Sequence, residues 1–414
     1  MIIDHPMRRL LHNELHARPS IYFDGPAIVW HDAFYVQDAI SEIPQSLLDL
    51  NGANTLDGKS GIVKTTSGQI KWEMHTEFVS LTYVVPWNGD PEIIPLKDAT
   101  WTDLINKMPG ERITSVEVLV GKTGTHDARQ LLGSHSDAVA SNVGAGDAEV
   151  WTTFRLTERN AMRIVVLNRS LNAYRMGRMV RRILEIEDYR MMALLSLPLA
   201  QDAFVQGAKF DSRLRSIVDE LGSGASKQDI LLDRIARLSA DIIDFSGKSR
   251  ERFSATAAYA DLVFARLEEI REERLDGHQR LGVFIDRRFR PAVRFCHQAD
   301  KKIESCAART SRASDLLRTS VQVELEQQNA LLLESMEKRV SLQVKLQEAV
   351  EGLSIVAISY YALGIFKMFL ESFGKYYHDE QVLKGLYLAA IPTVILLVWF
   401  TIKRTKQKIS GEAH

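Results

Sequence analysis

The residues whose type and spacing best suit chemistry lie in Lys71-Trp-Glu-Met-His-Thr-Glu-Phe78, where Glu73, His75 and Glu77 alternate with Trp72, Met74, Thr76 and Phe78. A strand sends successive side chains to opposite faces, so this spacing sets two carboxylates and an imidazole in a row on one side. Such a row can ligate a divalent cation or exchange protons with a substrate. It equally suits the water-facing side of a half-buried strand. His12 and His16 form a second pair: at i, i+4 they share one face of a short helix, a metal-ligand spacing. The other reading of that lead is a docking segment whose histidines and Arg18 hydrogen-bond to the domain, Arg18 pairing with one of the strand carboxylates. No cofactor is predicted, although these residues could hold a divalent metal.

Two glycine-bearing stretches resemble phosphate loops only in part. Val120-Gly-Lys-Thr-Gly124 follows a strand, but Val116 stands where the phosphate-loop pattern requires its first glycine. Gly144-Ala-Gly146 lacks the third glycine and the following helix of a dinucleotide fingerprint, so both stretches are read as turns. No Ser/His/Asp or Cys/His set is supported by local spacing. Cys296 and Cys306 stand ten apart in a helical pattern, which fits reduced, packed thiols better than a disulfide or a zinc site.

The elements that must position these groups change character along the chain. Residues 1–170 read as an α+β domain with a mostly antiparallel sheet. Its strands are Ala27–Val36, Ile70–Val85, Ile113–Val120, Val150–Leu156 and Met162–Leu167, and its helices Pro44–Leu50, Leu96–Met108 and Asp127–Gly133. From 171 to 352 the apolar period becomes three to four, which predicts a helical bundle or coiled coil. Pro198, the Gly222–Ser226 turn, Gly277 and Pro291 are its expected breaks. Leu317, Val321, Leu325, Leu332, Met336 and Val340 form an approximate seam, with Gln328 where an apolar residue would complete it. A self-contained bundle and an oligomer stalk are both compatible with that pattern.

Leu353–Leu370 and Gly385–Ile402 are apolar runs of 18 residues each, and about 17–25 residues cross the hydrocarbon of a bilayer as a helix. The only charge in the first run is Lys367, placed where its stem can reach the headgroups. Ser354, Ala357, Tyr361 and Gly364 recur at helical spacing there, and small residues permit close contact between helices. The second run carries Pro392 and no charge. Residues 353–402 are therefore expected to be a transmembrane helical hairpin, with 403–414 as a basic tail. Lys403, Arg404, Lys406 and Lys408 place that tail in the cytoplasm by the positive-inside rule. The first residues lack the apolar core of a secretory signal, so both termini are expected in the cytoplasm, as in a multi-pass protein of the bacterial inner membrane. With 52 basic and 53 acidic residues, bulk attraction to nucleic acid is not expected.

Three stretches together resemble an uncharacterised family of bacterial membrane-anchored proteins, a domain of unknown function. They are Asn13-Glu-Leu-His-Ala-Arg-Pro19 (with Asn13, Glu14, His16, Arg18 and Pro19 as its distinctive residues), Gly177–Pro198 and Val350–Tyr361; Trp72–Phe78 also fits. The layout alone resembles CorA-type magnesium channels, although no Asn occurs between 353 and 384 to supply that family's Gly-Met-Asn motif. The first expectation for function is thus a non-enzymatic, membrane-anchored scaffold that self-associates and presents its α+β domain to a protein partner. A CorA-like cation channel is the second. An enzyme or metal sensor using Glu73, His75 and Glu77 is the third.

Overall fold

The computed structural model describes residues 4–8, 20–37, 44–49, 54–55, 60–90, 93–95, 97–133, 137–374 and 380–411. His12, Asn13, Glu14, His16, Arg18 and Pro19 lie outside the described residues. The chain divides into two compact units, Met1–Asp315 and Leu316–His414.

The first unit is built on one sheet whose centre is the strand β1 (Ala27–Tyr35). Its run Ala-Ile-Val-Trp-His-Asp-Ala-Phe is buried on both faces, the pattern of a strand covered on each side. The other strands are β2 (Asn54–Thr55), β3 (Ser60–Lys64), β4 (Gln69–Met74), β5 (Phe78–Pro86), β6 (Glu111–Lys122), β7 (Val139–Val143), β8 (Ala148–Leu156), β9 (Met162–Asn168) and β10 (Glu273–Arg274). They lie in the order β10-β7-β8-β9-β6-β1-β5-β4-β3-β2. β6 and β9 run parallel and the other neighbouring strands antiparallel. Among the described residues both edges are two-residue strands, which leaves little open ladder for a stray chain to pair with.

Helices cover both faces. On one lie α1 (Gln45–Leu48), α2 (Ala99–Asn106) and α3 (Ala128–Leu132), packed over Trp30, Trp72, Tyr83 and Trp151. Asp98 and Asp127 begin α2 and α3 by accepting backbone N–H bonds from Trp101 and Arg129. Trp101 then stacks on Tyr83 with ring centroids 5.5 Å apart. On the opposite face lie α4 (Ala173–Leu194), α6 (Gln228–Glu269) and the start of α7 (Leu281–Gly374), over Val29, Val118, Val120, Ile164 and Val166. Asn172 caps α4 by accepting from Arg175 N–H.

Pro198 sits in the first turn of the next helix, α5 (Leu197–Ser223), where its missing N–H costs nothing. Gly224 ends α5 in the left-handed conformation, at φ 64°. α7 continues through Pro291, so the break expected there does not occur. The buried positions of α5 (Ala200, Ala203, Gly207, Phe210, Leu214, Ile217) repeat at three and four residues. Those of α7 repeat alike: Cys296, Ala299, Ile303 and Cys306. Phe204 stacks on Phe295 at 4.9 Å, joining the two helices. Cys296 and Cys306 are free and buried, as their spacing led one to expect.

The second unit contains the rest of α7, from Leu316, and α8 (Glu380–Gly411). α7 and α8 each include a segment long and apolar enough to cross a membrane by length and composition. Pro392 lies inside α8, and Lys367 pairs loosely with Glu371 one turn on, at 3.9 Å.

A second expectation also changes. The strand expected over 70–85 is two strands, joined by a tight turn that His75 N–H closes on Phe78 O at 2.8 Å. The alternation therefore stops at Met74, and Phe78 faces the α4 side while Trp72 faces away from it.

Removing the Trp101 ring leaves a large void beside Tyr83. Trp101→Ala is expected to cost about 3–5 kcal/mol in denaturant unfolding, whereas Leu156→Ala, at a position 67% exposed, should stay within about 0.5 kcal/mol.

Candidate functional site: a buried polar cavity beneath the first long helix

A dense set of titratable groups lies between α4 and the strands β1, β4 and β5. Register assembles it. His31 of β1 is paired across the ladder with Thr82 of β5, and Thr82 in turn with Lys71 of β4. These three side chains form one row across the sheet, on the face that α4 covers. Glu73 joins them two residues along β4, because the side-chain period of a strand is two.

α4 supplies the rest. Asp188 meets His31 Nε2 through both carboxylate oxygens, at 2.9 and 3.1 Å, while His31 Nδ1 lies 2.9 Å from Thr82 Oγ1. Lys71 Nζ lies 2.9 Å from Glu73 Oε2, and both side chains are nearly closed to water. Arg181 approaches Glu185 at 3.4 Å, and Glu185 also accepts from Arg266. Ser20 and Ile21 line one wall, held against α4 at Gly177. A Cβ on Gly177 would lie 2.0 Å from the Ile21 carbonyl oxygen, so this crossing requires glycine.

The cavity left among these groups is about 30 Å³, room for one or two water molecules. Thr82, His31 and Asp188 have the order hydroxyl, imidazole, carboxylate, which in an open cleft would suit nucleophilic catalysis. Here the dimensions admit water and not a substrate. The chemistry open to the cluster is to hold and move protons. Burial opposes charge on His31, but the carboxylates of Asp188, Asp32 and Glu73 outweigh it and raise its pKa. Burial lowers the pKa of Lys71, with Glu73 opposing and Arg181 assisting. Burial also raises that of Tyr189, at the end of the cavity, with Glu185 and Asp188 adding to it.

The three residues singled out on the strand do not form a row. Glu73 is 8% exposed, inside the cavity with Lys71 rather than on a water-facing side. His75, in the turn, stacks on Phe78 at 4.0 Å. Glu77 turns to α6, where Arg252 approaches at 3.1 Å and the Tyr259 hydroxyl donates to it at 3.0 Å. Among the described residues no group of three or more His, Cys, Asp or Glu side chains is arranged to hold a metal ion. The phosphate-loop fragments are turns: Gly124 has φ 82°, and Gly144, Ala145 and Gly146 all have positive φ.

His31, Lys71, Arg181 and Asp188 escaped the spacing argument because their partners are distant in sequence. A signal existed for Asp188, a carboxylate four residues from both Leu184 and Met192 on the apolar side of α4.

A ten-stranded α+β unit with an ionic cavity under α4, followed by a unit of two long helices that each carry an apolar segment, defines the class of protein. The model of the family of proteins of unknown function DUF3422 matches residues 3–409, and the chain belongs to that family. No curated protein matches the chain.

Breaking the His31–Asp188 pair from one side leaves a buried charge without its partner, so Asp188→Ala is expected to cost about 3–5 kcal/mol in denaturant unfolding. The pKa of His31 is raised on folding, so the stabilisation from its protonated form is complete below the ordinary value of 6.5 and fades as pH climbs through the folded value. The melting-temperature gap between wild type and His31→Gln should accordingly shrink as pH rises above 6.5; a gap independent of pH would contradict this.

Proposed function

We propose that the protein is a membrane-anchored assembly protein that self-associates through the part of α7 preceding its apolar run. The observation that carries this reading is the exposure of that segment. From 322 to 350 every residue is exposed, among them Leu325 at 49%, Leu332 at 60%, Met336 at 54% and Val340 at 58%. A helix does not leave such a seam in water when a partner can cover it. A second copy of the same chain supplies a matching seam, and Gln328 within it can fix register and chain number as a polar seam residue does.

The apolar runs of α7 and α8 support anchoring in the bacterial inner membrane as two spans, and the basic residues after the second support a cytoplasmic tail. On this reading both termini are cytoplasmic, and the α+β unit is presented to a protein partner. A CorA-like cation channel is a second reading. What favours it is the 94-residue length of α7, a helix that carries the first apolar run at its end.

Light scattering of the full-length protein in detergent, with the detergent mass subtracted, tests both readings. An oligomer is expected, reduced to monomer in Leu325→Glu/Leu332→Glu/Met336→Glu; a monomeric wild type removes the proposal. A ring of about five chains with cation flux into liposomes would favour the channel, and a ring without flux would remove it.

A further inference from the structure

A second cleft of the first unit lies away from the ionic cavity, at the end of β8 where α4 ends and α7 begins. It has a volume of about 620 Å³, and its charged lining is Arg155, Arg190, Arg288 and Asp137. That lining carries three positive charges against one negative. The volume is that of a small-molecule site.

The backbone beneath it is strained. β8 and β9 lose register between Thr152 and Leu156, and within that irregularity Phe154 adopts φ 54°. A bulky aromatic residue rarely takes this conformation, and such outliers gather where a site needs a side chain aimed against the local preference. Here the strain lays the Phe154 ring parallel to Phe284 of α7, with centroids 4.5 Å apart and planes 6° apart. The guanidinium of Arg190 lies 5.9 Å from the Phe154 centroid, and that of Arg288 lies 4.6 Å from the Phe284 centroid. The four groups form a chain from α4 to α7 whose two ends are cations.

The arginines differ in what neutralises them. Arg155 is paired with Asp137, and Arg190 is held by both oxygens of Glu187. Arg288 has the ring of Phe284 beneath it and no carboxylate among the described residues. An arginine oriented by a ring keeps its planar fork of N–H groups free for an oxyanion.

We infer that this cleft binds a soluble small molecule bearing a phosphate or carboxylate group, with Arg288 as the residue that receives the anion. Arg190 and the two rings orient it, and Arg155 widens the positive field at the mouth.

Calorimetric titration of the full-length protein in detergent with inorganic pyrophosphate, and separately with citrate, tests the assignment. One of the two is expected to saturate at one equivalent, and which does so tells phosphate from carboxylate. Arg288→Ala should weaken that binding at least about tenfold, with Arg288→Lys between it and wild type. Arg288 is exposed, so the variants should melt with the wild type and a loss of binding is not a loss of fold. Saturation by neither anion, or binding unchanged in Arg288→Ala, overturns the inference.

Discussion

The first unit depends on the pairing of charges that the sheet and α4 bury together. Removing a lysine, two carboxylates and an imidazole from water costs several kcal/mol per ion unless each meets its partner in good geometry. Lys71, Glu73, His31 and Asp188 all do. Because three of them sit on strands, a slip of one residue in any of those strands would send its polar group to the opposite face, among Trp30, Trp72 and Tyr83. The apolar pattern alone leaves β1 nearly indifferent to such a slip, since both of its faces are buried. The ions make one register right and its neighbours costly.

The two faces of the sheet consequently do different work. The side beneath α2 and α3 is closed by large rings and well capped short helices, and it supplies bulk burial. The α4 side mixes aliphatic contacts with the ionic row, then continues into α5, α6 and α7, whose buried positions keep helical spacing well beyond the sheet. Gly177 links these demands, since the segment Ser20–Tyr22 can lie against α4 only where the helix lacks a Cβ.

Much of this architecture was legible in the sequence. Four strand positions (with a fifth that merged β4 and β5), three short helices and the change of period near 171 follow from alternation, caps and turn residues, and each of these is a local signal. The strand β3, with Gly61 and Lys64, and β7, with Ser141 and Asn142, lack the apolar alternation that would announce them, and tertiary pairing makes them strands. The turn at His75–Glu77 was missed because its residues continue the strand's alternation without a glycine or proline. The cavity itself was illegible. It joins positions 31, 71, 82 and 188 through ladder register, and no window of sequence contains that information. The cleft beside Phe154 is hidden for the same reason, its strain being a property of backbone geometry and not of residue type.

The strand β10 pairs with β7 to complete one edge of the sheet, yet it lies between α6 and α7, far along the chain. A growing polypeptide has therefore released β7, β8 and all of α4 to α6 before the edge of β7 acquires its cover. Until Arg274 emerges, that ladder presents unpaired amides to any strand nearby. Through the interval of synthesis from Val143 to Glu273 that edge stays uncovered, and a message truncated within it yields a sheet with one edge open.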